Sequence, residues 1–330
     1  MSLSFIQNSS TDPAYNLALE EYLLVNRDEE FFLLWRNEPT VVIGRNQNTS
    51  AEINRELIKR ESIHVVRRIS GGGAVFHDHG NLNFSFLINA ERSEFDYTTF
   101  TRPLLKTLNR LGIHAENAGR NDVAIDGKKI SGNAQHKHQE RLLHHGTILF
   151  SVDLDKLASV LKSSPEKYES KAIPSIRSRV CNVRDHLVKK IGVYEFEMQL
   201  LDEVCREYSI TPGLLSENEL KTIYRLRDEK YRNWAWTYGK SPTFWTHGGK
   251  KRFEWGTVEV RIEVCRGLIQ TAKLYGDFFN DADTEPLMCK ILGQRFDRET
   301  LEKLLDEIEI QRVLPEISQK QFFDIVFQEE

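Results

Sequence analysis

Three consecutive glycines, Gly71, Gly72 and Gly73, stand in the run RRISGGGAVFHDHGN (residues 67–81), between two segments of strand character, His64 to Ile69 and the alternating NLNFSFLI that begins at Asn81. A plain hairpin turn is served by one or two glycines. A third implies that the backbone here comes close to another group. Glycine permits φ > 0 and leaves successive N–H groups free to converge on an anion or a carbonyl. Arg68 and Ser70 add a fixed cation and a hydroxyl donor to the same loop. Neither G-x-G-x-x-G nor G-x-x-x-x-G-K-[ST] occurs in the chain, so a nucleotide held by this loop would not be held in the Rossmann or P-loop manner.

Around the loop, strand and helix patterns alternate. Phe31 to Trp35 and Thr40 to Ile43 have strand length and composition, Ala51 to Glu61 has helical spacing, and NLNFSFLI alternates as a half-buried strand does. Thr11-Asp12-Pro13 offers a capping oxygen and a first-turn proline to a helix over Asp12 to Leu24, and a second helix is predicted over Thr98 to Leu111. Helical spacing with dense charge returns at 194–209 and at 216–231, the latter opening on a capping-box pattern from Ser216 to Glu219. The fold class expected is α+β, a mixed β-sheet with flanking helices followed by a small α+β module. The stretch GKSPTFWTHGGKKR, from Gly239 to Arg252, has the composition of an exposed linker. Beyond it a hairpin is expected from Val258 to Val264 and Leu268 to Leu274, then helices near 284–295, 297–310 and 318–327.

A second polar cluster is NDVAIDGKKISGNAQ, residues 121–135, where Asp126-Gly127 is a strong hairpin signal. On a regular strand leaving that turn, Lys129, Ser131 and Asn133 share one face. A lysine in such a row can stabilise two anions being joined, as when a carboxylate attacks an α-phosphate. Seven of the ten histidines (His77, His79, His114, His136, His138, His144 and His145) fall between residues 77 and 145. Their spacing matches no known metal-ligand set, and imidazoles also donate hydrogen bonds to ligands. Cys181 lies among Arg177, Arg179 and Arg184, which could lower a thiol pKa.

Charge and targeting signals narrow the class. Forty-five Lys plus Arg against 49 Asp plus Glu leaves a net −4, which argues against a general nucleic-acid or acidic-membrane binder. The N-terminus shows no secretory signal, no apolar run approaches membrane length, and the four cysteines form no C-x-x-C. A cytoplasmic protein with neither nucleic acid nor membrane as partner is expected.

Taken in order, NLALEEYLL, TVVIGRNQNT, RRISGGGAVFHDHGNLNFSF, GRNDVAIDGKKISGNAQ, HHGTIL, SIRSRVCNV and WTYGKSPTF closely resemble lipoate-protein ligases of the two-domain bacterial type, within the biotin and lipoate ligase superfamily. The resemblance runs through nearly the whole chain. It implies an ATP-dependent enzyme that converts lipoate and Mg-ATP to lipoyl-AMP and pyrophosphate, then transfers the lipoyl group to a lysine of an acceptor domain. The implied acceptors are lipoyl-domain proteins, the E2 subunits of 2-oxoacid dehydrogenases and the glycine cleavage H protein. By position, Lys129 matches the family's essential lysine, touching both the lipoyl carbonyl and the phosphate, with Lys128 its solvent-side neighbour. Arg68, Gly73, Ala74, Val75 and Phe76 match the nucleotide-contacting part of the loop. Asn121 and Asp122 fall where the adenylate is handled, Asp122 with Mg2+ brought by ATP. Ser70, Gly71, Gly72, His77 and His145 fall on the lipoate side. The implied division is a catalytic domain over residues 1–245 and an accessory domain over 250–330 that moves between the half-reactions.

An apolar slot for the acyl tail is expected on physical grounds, each buried methylene contributing about 0.8 kcal/mol, and Val75, Phe84 and Phe86 are its candidate walls. Two alternatives stay open. One is an octanoyl or lipoyl transferase that moves the acyl group between carrier proteins without ATP, through a lysine or a cysteine such as Cys181. The other is a catalytically silent lipoate-binding module, against which the intact Arg68, triple glycine and Lys129 argue.

Overall fold

The computed structural model describes residues 2–89, 96–161, 179–238, 247–265, 267–278, 284–306, 310, 314 and 316–327. Its centre is a mixed eight-stranded sheet in the order β11-β1-β2-β6-β10-β9-β8-β7. The strands are β1 (Ser2–Gln7), β2 (Phe31–Trp35), β6 (Asn81–Asn89), β7 (Glu116–Ala118), β8 (Asp122–Ile125), β9 (Lys128–His138), β10 (Arg141–Leu149) and β11 (Ser209–Pro212). Three shorter strands, β3 (Thr40–Ile43), β4 (His64–Arg67) and β5 (Val75–His77), form a second sheet in the order β4-β3-β5. The glycine run is therefore the connection from β4, which ends at Arg67 rather than Ile69, to β5.

Each face of the large sheet carries its own core. Phe32, Leu34, Phe84, Phe86, Leu142 and Ile148 point to one side, where helix α4 (Tyr97–Arg110) and the helix Val193–Glu207 cover them with Phe100, Leu104, Phe196 and Leu200. Phe31, Leu33, Trp35, Leu87 and Leu143 point to the other, against Leu17, Leu19 and Leu23 of helix α1 (Pro13–Asn26). The predicted start of α1 is observed: Asp12 is the cap, accepting from the N–H of Ala14, and Pro13 opens the first turn. The capping box at Ser216 is likewise formed, on the helix Glu217–Leu226.

Some expectations give way to packing. The single helix over Ala51 to Glu61 is two, α2 (Thr49–Glu52) and α3 (Arg55–Arg60). Ile53 pairs as an isolated bridge with Leu161, and the Asn54 side chain accepts from Leu57 N–H at 3.3 Å, so a new cap starts where one continuous helix was expected. Strand β6 is buried on both faces except at its last residue. Its polar row, Asn81, Asn83 and Ser85, is buried, with Ser85 bonded to Glu20 of α1 and Asn83 beside Leu17. Phe84 and Phe86 belong to the core on the opposite side of the sheet from α1 and form no wall of the site described below.

The C-terminal module is a three-stranded sheet, β12 (Lys250–Phe253), β13 (Gly256–Cys265) and β14 (Leu268–Gly276), covered by the helices Glu285–Lys290, Arg298–Asp306 and Gln319–Phe327. The predicted hairpin and helices are thus present, the two earlier helices shorter within the described residues. The first part of the predicted linker, residues 239–246, lies outside the described residues, as does Arg177. The remainder is not a free linker, since His247 pairs with Ile262 and β12 starts at Lys250.

Arg67, fully buried, fastens residues 236–237 to the loop 44–49. Its guanidinium donates to the carbonyls of Gly44, Arg45, Gln47, Trp236 and Thr237 and to the Thr49 hydroxyl. The loop it fixes reaches the C-terminal module, where Gly276 N–H donates to Asn46 O. No helix of the described residues is long and apolar enough to cross a membrane.

Candidate active site

A cavity of about 620 Å³, open solvent at its mouth included, lies between the glycine loop and the α1 side of the large sheet. Leu17, Trp35, Val42, Ala74 and Val75 supply apolar wall, so of the predicted wall residues only Val75 takes part. Gly72, Gly73, Gly132 and Gly146 bring backbone to its surface, and Lys129 and Asn121 stand on the β8–β9 side.

Lys129 reaches this cavity because β9 is irregular. Val123 pairs with Ser131 whereas Ala124 pairs with Lys129, leaving Ile130 as one extra residue. Such a bulge breaks the alternation of faces. Ile130 enters the core beneath the sheet, while Lys129 comes to lie over Gly132, whose position would put a Cβ 2.7 Å from Lys129 Nζ. The expected row of Lys129, Ser131 and Asn133 is therefore wrong. Ser131 and Asn133 turn their side chains away, Asn133 Oδ1 occupying the space that Gly146 leaves empty on the far face. The Asp126-Gly127 turn matches its prediction, with φ of 49° and 74°.

Lys129 Nζ pairs with Asp122 Oδ1 at 2.8 Å, both side chains about a third exposed. On the loop, Arg68 is buried and holds the backbone in shape, donating to the carbonyls of Gly71 (2.6 Å) and Gly73 (2.9 Å), to Val42 O and to Ser70 Oγ. Burial lowers its pKa to about 10, which leaves it charged at neutral pH. Gly72 takes φ = 87°, and a Cβ on the facing Gly44 would lie 1.9 Å from Gly72 O. Gly72 is thus favoured by conformation and Gly44 required by close approach.

Behind the cavity runs a hydrogen-bonded chain. Ser70 Oγ is 2.6 Å from His145 Nε2, His145 Nδ1 is 3.1 Å from Glu20 Oε1, Ser85 Oγ donates to Glu20 Oε1 at 2.5 Å, and Trp35 Nε1 donates to Ser85 Oγ at 2.8 Å. His77 also lines the cavity, its Nδ1 3.0 Å from the amide of Asn37. Burial first, then the nearby Arg68 cation, pushes the His77 pKa down to about 3, so the ring is neutral in use.

Of the predicted site residues, Arg68, Gly72, Gly73, Ala74, Val75, His77, Asn121, Lys129 and His145 line the cavity. Asp122 reaches it through Lys129 and Ser70 through His145. Gly71 contributes a carbonyl to Arg68, and the Phe76 side chain is buried in the core of the small sheet. Leu17, Trp35, Asn83 and Thr147 line the cavity without having been predicted. The polar row of β6 was the available signal for Asn83. Cys181 is outside this lining and buried, its Sγ 3.8 Å from Lys128 O. Burial raises its pKa, the reverse of what a nucleophilic thiol requires.

The model of the lipoyl protein ligase A/B catalytic domain matches residues 12–205, and that of the bacterial lipoate protein ligase C-terminus matches residues 241–326. The chain belongs to the lipoate-protein ligase family. Lipoate-protein ligase LplJ of Bacillus subtilis is 38% identical over 330 residues, covering 98% of this chain and 99% of its own. Lipoate–protein ligase 1 of Staphylococcus aureus is 39% identical over 328 residues, covering 98% and 100%. Among solved structures, P. falciparum LipL1 in complex with lipoate superposes with a TM-score of 0.77 at 28% identity, covering 93% of this chain and 95% of that one. A bi-partite lipoate protein ligase with its E2 lipoyl domain from Thermoplasma acidophilum gives 0.64 at 28% identity, covering 74% and 98%. A lipoate-protein ligase A bound with ATP gives 0.63 at 26%, covering 72% and 99%. The ligase fold expected from sequence, mixed sheet with flanking helices plus a small C-terminal module, is the one observed.

Proposed function

We propose that this ligase activates free lipoate with Mg-ATP to lipoyl-AMP and pyrophosphate, then transfers the lipoyl group to a specific lysine of lipoyl-domain acceptor proteins. The acceptors we assign are 2-oxoacid dehydrogenase E2 subunits and the glycine cleavage H protein, a class supported by the archaeal relative with its E2 lipoyl domain. The observation that carries the reading is Lys129, a cation set by the β9 bulge at one side of a cavity whose depth is apolar and whose roof is glycine backbone. In the first step a lipoate carboxylate oxygen attacks the α-phosphorus and pyrophosphate leaves. Two anions must approach, and Lys129 lowers that repulsion. In the second step a neutral lysine amine attacks the acyl carbonyl, forming the amide as the carbon–oxygen bond to AMP breaks. Roofing by the loop would protect the mixed anhydride from water between steps.

Asp122 and Asn121, beside Lys129, are the groups we assign to Mg2+ arriving with the triphosphate. One carboxylate paired with a lysine fits an ion that keeps phosphate oxygens and waters rather than one caged by protein. We further assign residues 1–245 to the catalytic domain and 250–330 to an accessory domain.

The test is ATP–pyrophosphate exchange with wild-type protein, Mg2+ and free lipoate, followed by mass analysis of an added lipoyl domain. Exchange that depends on lipoate is expected. Its absence, both with and without the acceptor, together with ATP-independent acyl transfer, would replace the ligase reading by the carrier-to-carrier one.

A further inference from the structure

The paired histidines of HHGT face opposite sides of β10. His145 faces the cavity, whereas His144 lies fully buried on the other side, its ring stacked on Phe100 at 4.4 Å and Phe84 at 5.9 Å, with Tyr97 edge-on at 5.6 Å. Nothing in the reaction proposed above uses it. Its two nitrogens are nevertheless bonded on the side of the active strands, Nδ1 to Gln135 Nε2 at 3.1 Å and Nε2 to Asn133 Oδ1 at 3.3 Å.

The network fixes the tautomer. Asn133 Nδ2 donates to Asn121 O at 2.9 Å and to Ser131 Oγ at 3.3 Å; the Asn121 carbonyl can only accept, so turning the Asn133 amide round would set its oxygen against that carbonyl. Its Oδ1 must then accept from His144 Nε2–H, and Nδ1 accepts from Gln135. From Asn133 the network passes into the site. Asn121 Nδ2 donates back to Asn133 O at 2.6 Å, and Asn133 N–H donates to Asn121 O at 2.9 Å. Asn121 lines the cavity, and the residue after it, Asp122, is the partner of Lys129 Nζ.

We propose that His144 is a positioning residue for adenylation: from behind the sheet it orients the Asn133 amide, which pins Asn121 and thereby sets where Asp122 holds Lys129. This inference rests on the adenylation reading above. It separates the two histidines by task, His145 at the cavity wall and His144 as the fixed support of the β8–β9 corner. His144 touches no reactant, so its loss should act on the rate of the chemical step more than on occupancy of the acyl slot, whose walls are Leu17, Trp35 and Val75.

His144→Phe keeps an aromatic ring in the stack and removes both hydrogen bonds. His144→Gln restores a donor toward Asn133 Oδ1. In lipoate-dependent exchange, His144→Phe is expected to lower kcat about tenfold with KM for lipoate changed less than about twofold, and His144→Gln to recover most of that loss. The thermal midpoint and near-ultraviolet circular dichroism of both variants report whether they fold. Wild-type kcat in His144→Phe, or an equal loss in both variants that follows only the folded fraction, would overturn the proposal. A crystal structure of His144→Phe gives a readout independent of activity, with the Asn121–Asn133 bonds broken and the Lys129–Asp122 pair displaced as the expected result and an unmoved corner as the contrary one. Should wild type show no exchange with or without acceptor and transfer the acyl group without ATP, the adenylation reading fails on its own and that structure still decides the positional claim.

Discussion

At the scale of single residues, the chemistry proposed above concentrates on Lys129. Replacing it by Ala removes the cation while leaving the cavity walls in place, so lipoate-dependent exchange should fall by about 100-fold or more with the unfolding midpoint little changed. A variant that still exchanges within about tenfold of wild type would assign the charge compensation elsewhere. Cys181→Ser should transfer lipoate within about twofold of wild type, since the thiol is buried, its pKa is raised by burial and it lies outside the cavity lining. A large loss of activity in that variant would restore the thiol-transfer mechanism. The buried histidines make a separate prediction for stability. An unfolded chain protonates His77 as the pH falls through about 6.5, whereas folded His77 resists until about 3 because burial disfavours the cation. Burial holds His144 well below its ordinary value in the same way. Between those limits the unfolded state carries more protons, so stability is complete above about 6.5 and is lost as the pH falls toward 3. The slope is about 1.4 kcal/mol per pH unit for each such histidine. Urea midpoints measured from about pH 7 down to about pH 4.5 should decline, and less steeply in His77→Gln. A flat wild-type profile would contradict the burial argument.

At the scale of elements, what could be read in advance was whatever depends on neighbours in the chain. The cap at Asp12, the capping box at Ser216 and the turn at Asp126-Gly127 are local hydrogen-bond and φ requirements, and all three appear as expected. The glycine run told of close backbone approach for the same reason. Its partner could not be read, because the Gly44–Gly72 contact joins residues far apart in sequence. The face of Lys129 was misjudged because a bulge is set by pairing across strands, and strict alternation cannot anticipate the extra Ile130. Trp35 and Asn83 went unnoticed as cavity residues because on β2 and β6 they read as core and as a solvent-facing polar row; only the lie of α1 over the sheet makes them part of the site. The bulge can be tested through its glycine. A methyl at Gly132 would meet Lys129 Nζ at 2.7 Å, the mobile end of a long side chain, so Gly132→Ala should cut adenylation about tenfold or more while costing less than about 1 kcal/mol of stability. Gly146→Ala should cost more stability, since its methyl would meet Asn133 Oδ1 at 2.2 Å and the Phe84 ring at 2.5 Å, both held fast, and overpacking of this kind costs about 1–3 kcal/mol; by displacing the Asn133 amide it should slow adenylation as well. Denaturant midpoints and exchange rates of the two variants, compared side by side, check the assignment; equal destabilisation of both would remove the distinction.

At the scale of the whole molecule, the two proposed steps make opposite demands on one cavity. Adenylation needs the mixed anhydride shielded from water, while transfer must admit a lysine carried on a folded domain. A joint between modules that is weak enough to open reconciles them, and two of the links seen here are weak. Arg120–Glu316, at 3.4 Å with both side chains more than two-fifths exposed, is a surface ion pair of the kind that contributes about 0–1 kcal/mol. Gly276 N–H to Asn46 O is a single backbone bond. Arg120 immediately precedes Asn121 and Asp122, so the link to Glu316 attaches the C-terminal module beside the corner that positions Lys129. Arg67, by contrast, is buried in six hydrogen bonds that hold residues 44–49 to residues 236–237, so such an opening would leave these bonds in place. The prediction is that lipoate plus Mg-ATP, without acceptor, changes the small-angle scattering curve, and that Glu316→Lys, which sets two cations against each other, shifts the unliganded curve in the same direction. Adenylation and transfer in that variant should then separate, the first slowed and the second not, because only the first depends on the covered state. Identical curves with and without substrates, together with unaltered rates in Glu316→Lys, would mean that the C-terminal module is a fixed neighbour of the site and that the acceptor lysine enters a cavity that never closes.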